Sequence, residues 1–172
     1  MSVNEQLVAE LRQEAANTRK LLERVPLDDA DWRPHPRSMP IGRLATHVAE
    51  IPGWTAMTLL TDELDLSKFN ERRKVNTTED LLAIHDEHVA QAISVLENFD
   101  ESRYKDMWSL RTGGHVHLTL PKHTVLRTFA FSHLYHHRAQ LGVYLRLLDI
   151  AIPGMYGPTA DEIAERMAKA TA

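Results

Sequence analysis

Residues 131–141 read FSHLYHHRAQL and place three histidines within five positions of an otherwise largely apolar helical stretch. After Pro121 a helical period runs from about Lys122 to Asp149, long enough for a full bundle helix. Its apolar stripe is Leu126, Ala130, His133, His137, Leu141, Tyr144 (or Leu145) and Leu148. His133 and His137 have HxxxH spacing, which puts their Cβ atoms on one helix face about 5–6 Å apart. That separation lets two ring nitrogens meet one ion at about 2.0–2.1 Å. His136 competes as the i+3 partner of His133 but points about 100 degrees away from His137. The same pair reads equally as core histidines satisfied by a carbonyl or a carboxylate, because two ligands rarely suffice for a protein metal site.

Outward from this helix the chain is mostly helical. Val3, Leu7, Leu11, Ala15, Thr18, Leu22 and Val25 recur at three- and four-residue steps, and Pro26 stops that helix. DADWRPHPRSMP connects it to a second helix from Ile41 to about Thr61, in which Pro52 should produce a kink. DELDLSKFNERRKVN, residues 62–76, is longer than an antiparallel helix pair needs and predicts a crossover. Thr77 or Thr78 can cap a third helix through about Asn98. RYKDMWSLRTGGHVHLTL, residues 103–120, has two short runs flanking TGG and predicts a hairpin. Thr159, with Glu162 three positions on, caps a short C-terminal helix. The expected architecture is an all-α four-helix bundle, residues 1–172 as one domain, with a small β-hairpin before the last bundle helix.

Composition excludes several classes. Apolar residues are 43% and charged residues 26%, ordinary values for a folded domain. The net charge is −4, and the nearest basic run, ERRKV at 71–75, is too short to cover a phosphate backbone, so no nucleic-acid partner is expected. With no cysteine, disulfides, thiolate ligation and a Cys nucleophile are impossible. No apolar run approaches the roughly 20 residues of a bilayer span. The N-terminal stretch has no apolar signal-type segment. The expectation is a cytoplasmic protein with no membrane partner.

His47 is the only histidine of the second helix and lies on its apolar stripe between Leu44 and Ile51. If packing brings it to His133 and His137, three imidazoles can form a facial ligand set with an open position for water or substrate. Such a set suits Zn, Ni, Fe or Cu without choosing among them. The other histidines carry weaker readings. His85 and His88 sit at i, i+3 of the third helix, where His88 could support the site or even supply a fourth ligand. His115 and His117 share one face of a strand beside a glycine turn, and surface positions explain them. His35 and His123 lie beside prolines in connectors. Neither HExxH nor a Glu-x-x-His pair occurs, which weakens zinc-protease and di-iron readings. There is also no GxGxxG, P-loop or GxSxG.

LATHVAEIPGW (44–54) followed by FSHLYHHRAQLGVYLRLLDIAIPGMYGPTADE (131–162) resembles the DinB-like family, which is unrelated to the DNA polymerase of the same name. Its hallmarks are a lone helix-2 histidine, here His47, an HxxxHRxQ motif, here His133 to Gln140, and a Pro- and Tyr-containing turn, here PGMYGPTADE. Many members carry glycine before the Gln, where this chain has Ala139. The resemblance implies an up-down-down-up bundle with a long crossover between helices 2 and 3. It also implies one divalent metal ion (Zn, Ni or Fe) on His47, His133 and His137, and a homodimer formed through bundle faces. For Arg138 and Gln140 the matched positions carry no catalytic assignment; a dimer or helix-end contact is the plain alternative. His88, Tyr144 and Gln140 are candidates for the shell around the metal, with His88 or Tyr144 as proton-handling groups. The implied activity is a metal-dependent transferase or isomerase using a low-molecular-weight thiol, which would supply the nucleophile that a Cys-free protein lacks. A metal-dependent hydrolase is one alternative, and a non-enzymatic stress-associated bundle with a structural metal is another.

Overall fold

The computed structural model describes residues 1–68 and 73–171, so part of the 62–76 connection, and the first two residues of ERRKV, lie outside the described residues. Helix α1 (Val3–Leu22) starts with a capping box, in which the Ser2 hydroxyl accepts from the Glu5 N–H and the Glu5 carboxylate accepts from the Ser2 N–H. The expected second helix is two, α2 (Ile41–Glu50) and α3 (Gly53–Leu60). Ile51 and Pro52 keep helical dihedrals, but proline has no N–H to donate, so the ladder is interrupted rather than merely bent. Thr77, not Thr78, caps α4 (Thr78–Asn98), and Asp80 completes a capping box there. Helix α7 (Ala160–Ala170) carries the expected Thr159–Glu162 box.

The long helix after Pro121 is not α-helical throughout. It begins as α5 (Lys122–Val125), widens into a π-helical segment (Leu126–Ser132), and returns as α6 (His133–Leu147). The wide turn shifts the register of the buried stripe: Leu134, Arg138, Leu141 and Leu145 are its centre, and His133 and His137 flank it half-buried.

Helix α4 packs on α1, α2 and α3, and α6 packs on α2 and α1. One core cluster gathers Leu44, Val48, Leu81, Leu134 and Leu141; a second gathers Leu11, Leu59, Leu96, Leu126 and Phe131. Burying each such side chain contributes about 1.5–3 kcal/mol before its entropy cost. Tyr135 packs against both clusters from the helix that carries the histidines.

The hairpin forms as β2 (Met107–Thr112) and β3 (His115–Pro121), with Gly113 at φ +56° in the turn. A third strand, β1 (Glu63–Asp65), pairs in parallel with β2 and corrects the hairpin expectation to a three-stranded sheet. The fold is therefore mostly helical with a small sheet. Buried Lys122 joins the two parts, its ammonium donating to the carbonyls of Thr58 and Leu59, 3.1 and 3.2 Å away, and to that of Thr61. A cation there complements the carbonyl end of α3. Among the described residues no helix is long and apolar enough to cross a membrane.

Candidate metal centre

Helix α2 presents His47 and helix α6 presents His133 and His137 to one point. One ring nitrogen from each lies within 4.8 Å of the other two, and the Nε2 atoms of His47 and His133 are 3.3 Å apart. Two nitrogens each about 2.05 Å from an ion at a tetrahedral angle are separated by about 3.3 Å. The donor set and its spacing thus fit a metal of the imidazole-preferring kind.

Tautomers decide whether those nitrogens are free to ligate. The backbone N–H of His133 reaches back five residues to the Thr128 carbonyl, as a π-turn requires, and also to Ala130. That pattern spares the Phe129 carbonyl, 3.3 Å from His133 Nδ1. A carbonyl only accepts, so the proton sits on Nδ1 and Nε2 keeps its lone pair. His137 Nδ1 likewise donates to Gln140 Oε1 at 2.8 Å. The carbonyl and the amide do for these rings what outer hydrogen-bond partners commonly do for ligating histidines.

Electrostatics favour the same state. Burial, and then the neighbouring His133, His137 and Arg43 charges, lower the His47 pKa to about 4. Burial also lowers His133 and His137, with further repulsion from neighbouring imidazoles. All three are therefore neutral near pH 7 and able to bind a cation. His47 stands edge-on to His133 and His137 at 5.0 and 4.8 Å between centroids, His133 and His137 are tilted to each other at 4.6 Å, and Trp54 stands edge-on to His133 at 5.8 Å.

The remaining expected residues divide. Gln140 touches His137, as a supporting residue should. Tyr144 instead packs edge-on against Trp32, with 5.7 Å between centroids. His88 is not among the grouped ligand atoms; its buried Nδ1 abuts Gly53, where a Cβ would lie 2.4 Å from it. His88 nonetheless lines a cavity of about 410 Å³ together with His47, Glu50 and Trp54. His85, not His88, is the more buried of that pair, at 1% exposure, with Nδ1 3.3 Å from Asp86. His136 is exposed beside His137, and His115 and His117 meet edge-on at the exposed hairpin.

Arg138 was expected at a dimer or helix-end contact, yet it is 4% exposed inside the protein. It donates to Glu14 Oε2 at 2.6 Å, to the Glu14 carbonyl and Thr18 hydroxyl at 3.1 Å, and to the Tyr156 hydroxyl at 2.5 Å. Glu50, three residues after His47 and facing the same cavity, went unnoticed in the sequence. The i, i+3 spacing from His47 was its only signal.

The sequence model of the DinB family matches residues 1–169. No curated protein matches the chain. Among solved structures, a DinB-like protein from Bacillus subtilis is similar at 19% identity, with a TM-score of 0.67 over 87% of this chain and 96% of that one. A DinB-like protein from Bacillus cereus is also 19% identical, with a TM-score of 0.66 over 88% of this chain and 97% of that one. At these identities the likeness is one of fold.

Proposed function

The chain belongs to the DinB family, and we propose that it is a divalent-metal enzyme, a transferase or isomerase that uses a low-molecular-weight thiol. The observation that carries this reading is a set of three neutral imidazoles beside a cavity. Among the described residues the group holds no fourth protein ligand, which favours an open catalytic site over a closed structural one. A bound Zn, Ni or Fe ion would act as a Lewis acid and favour the thiolate form of a thiol at its open position.

The protein's own residues do the rest. The Phe129 carbonyl and Gln140 hold the Nδ1 protons and aim His133 and His137. Trp54 shields His133 and forms part of the cavity wall next to His47. Half-buried His88 lines the same cavity with its pKa lowered, chiefly by burial, so it is neutral near pH 7 and able to accept a proton. A second reading, metal-dependent hydrolysis, draws support from Glu50, whose carboxylate lines the cavity where it could take a proton from water. The proposal further takes the bundle to run up-down-down-up, and the protein to be a cytoplasmic homodimer.

Elemental analysis of the untagged protein beside His47→Ala and His137→Ala comes first. About one ion per parent chain, absent from both variants, is the expected outcome. Titrating the Co(II)-substituted protein with small thiols should then produce a sulfur-to-metal absorption band. A spectrum indifferent to every thiol, with turnover of esters or amides in their absence, would shift the assignment to hydrolysis.

A further inference from the structure

The cavity beside His47 has a lining of two chemical kinds. Trp54 and Met57 from α3, Leu64 from β1 and Leu66 just after it are its apolar members. Arg43, Glu50 and Arg73 are its charged members, and Arg43 and Glu50 are in contact. Its volume of about 410 Å³ is that of a small-molecule site.

The charged members are not a closed ion cluster. The single Arg43–Glu50 contact is long, 3.4 Å from Nη1 to Oε2, so most of the five guanidinium donors of Arg43 remain uncommitted to it. Arg73 is held by Glu87 through two bonds of 2.6 and 3.0 Å, but Glu87 does not line the cavity. Both members of that pair are substantially solvent-exposed, and exposed pairs of this kind exchange partners at little cost. Within the lining itself two guanidiniums therefore face one carboxylate. Arg43 lies four residues before His47 on α2, one helical turn away, and lines the same cavity. An Arg fork recognises carboxylates in a planar, two-bonded manner.

We propose that this cavity binds the second substrate, a small amphipathic carboxylate whose apolar body lies on Trp54, Met57, Leu64 and Leu66 and whose head is read by Arg43 and Arg73. Glu50, which contacts Arg43, is displaced from it by the incoming carboxylate. The inference rests on the three-histidine site as the reaction centre, but the recognition is carried by residues outside it.

Calorimetric titration of the metal-free protein with hexanoate and with hexanol tests the head group without invoking thiol chemistry. Hexanoate should bind about tenfold tighter, the gain of one charge-assisted contact. Arg43→Met and Arg73→Met should each reduce that preference, whereas Glu50→Gln should increase hexanoate affinity severalfold by removing the competing carboxylate. Arg73 is exposed, so its variant remains informative if Arg43→Met folds poorly. Equal affinity for the two ligands, or a hexanoate preference untouched in Arg73→Met and Glu50→Gln, would overturn the assignment. In parallel, Co(II)-loaded protein is titrated with 6-mercaptohexanoate and hexanethiol. A band with neither thiol would sink the thiol reading alone, and a band of equal affinity with both would count against the arginines alone.

Discussion

Helix α6 carries two polar clusters, and they are built on opposite terms. Around Arg138 each charge meets a partner: the guanidinium meets the Glu14 carboxylate, and the Tyr156 hydroxyl donates to the same carboxylate at 2.7 Å. One residue earlier in the helix, His137 and its companion His133 use Nδ1 locally and leave Nε2 lone pairs pointing toward a shared centre. Buried polarity that is satisfied within the chain explains itself as structure. Half-buried imidazoles gathered on one point, with the Nδ1 protons of two of them held elsewhere, suit something added from outside. The adjacent residues of HHRAQ thus separate a candidate metal site from a structural ion pair.

The largest effect that could break this contrast is on metal content. His137→Ala should abolish stable binding, taking the stoichiometry from about one toward zero, because two imidazoles rarely hold an ion. The chain should stay folded, since His137 flanks the core rather than filling it. If the variant kept its metal, the two clusters would not differ in the way described.

Arg138→Ala should do the reverse. Glu14, 6% exposed, would be left as an uncompensated buried charge, and stability should fall by about 3–5 kcal/mol. Chemical denaturation measures this, while metal per folded chain stays at the parent value. Pairing the change with Glu14→Leu should recover part of the loss, because a buried pair can be replaced by apolar groups at little net cost. Gln140→Ala comes next. It removes the acceptor for His137 Nδ1 without touching a ligand, so affinity should drop roughly 10–100-fold while stoichiometry at saturating metal is unchanged. Competition with a chromophoric chelator reads both quantities.

How far the sequence could reveal this contrast follows from which signals are local. The caps at Thr77 and Thr159 were readable because a capping box is complete within four residues. His47, His133 and His137 stood out because helical spacing reports which residues share a face. The π-turn did not: Leu126–Ser132 has an ordinary apolar pattern, and one extra residue per turn only becomes visible as a shifted stripe. That shift is why Arg138 was placed outside the core and the histidines too deep within it. Strand β1 was hidden for another reason. Three residues pairing with β2 more than forty positions away leave no periodicity to detect. Which of His85 and His88 is the more buried was not legible either, because a one-turn choice of helix face depends on neighbours from α1 and α3, which spacing along α4 does not contain.

The smallest expected effect concerns protons. In the metal-free protein His47 has a pKa lowered to about 4, against 6.5 unperturbed, and His133 and His137 are lowered in the same direction. The unfolded chain therefore binds protons first as pH falls. Stability associated with these rings is fully present above about pH 6.5 and is lost between there and about pH 4. Partial solvent exposure reduces the effect to the order of 1 kcal/mol for the cluster. Saturating metal should steepen the acid dependence, since protons then compete with the ion for the same lone pairs. A His47→Gln variant should lose most of the slope between pH 6.5 and 4. A slope unchanged in His47→Gln would mean that the acid sensitivity lies elsewhere, with buried His85, also lowered chiefly by burial, as the next residue to substitute.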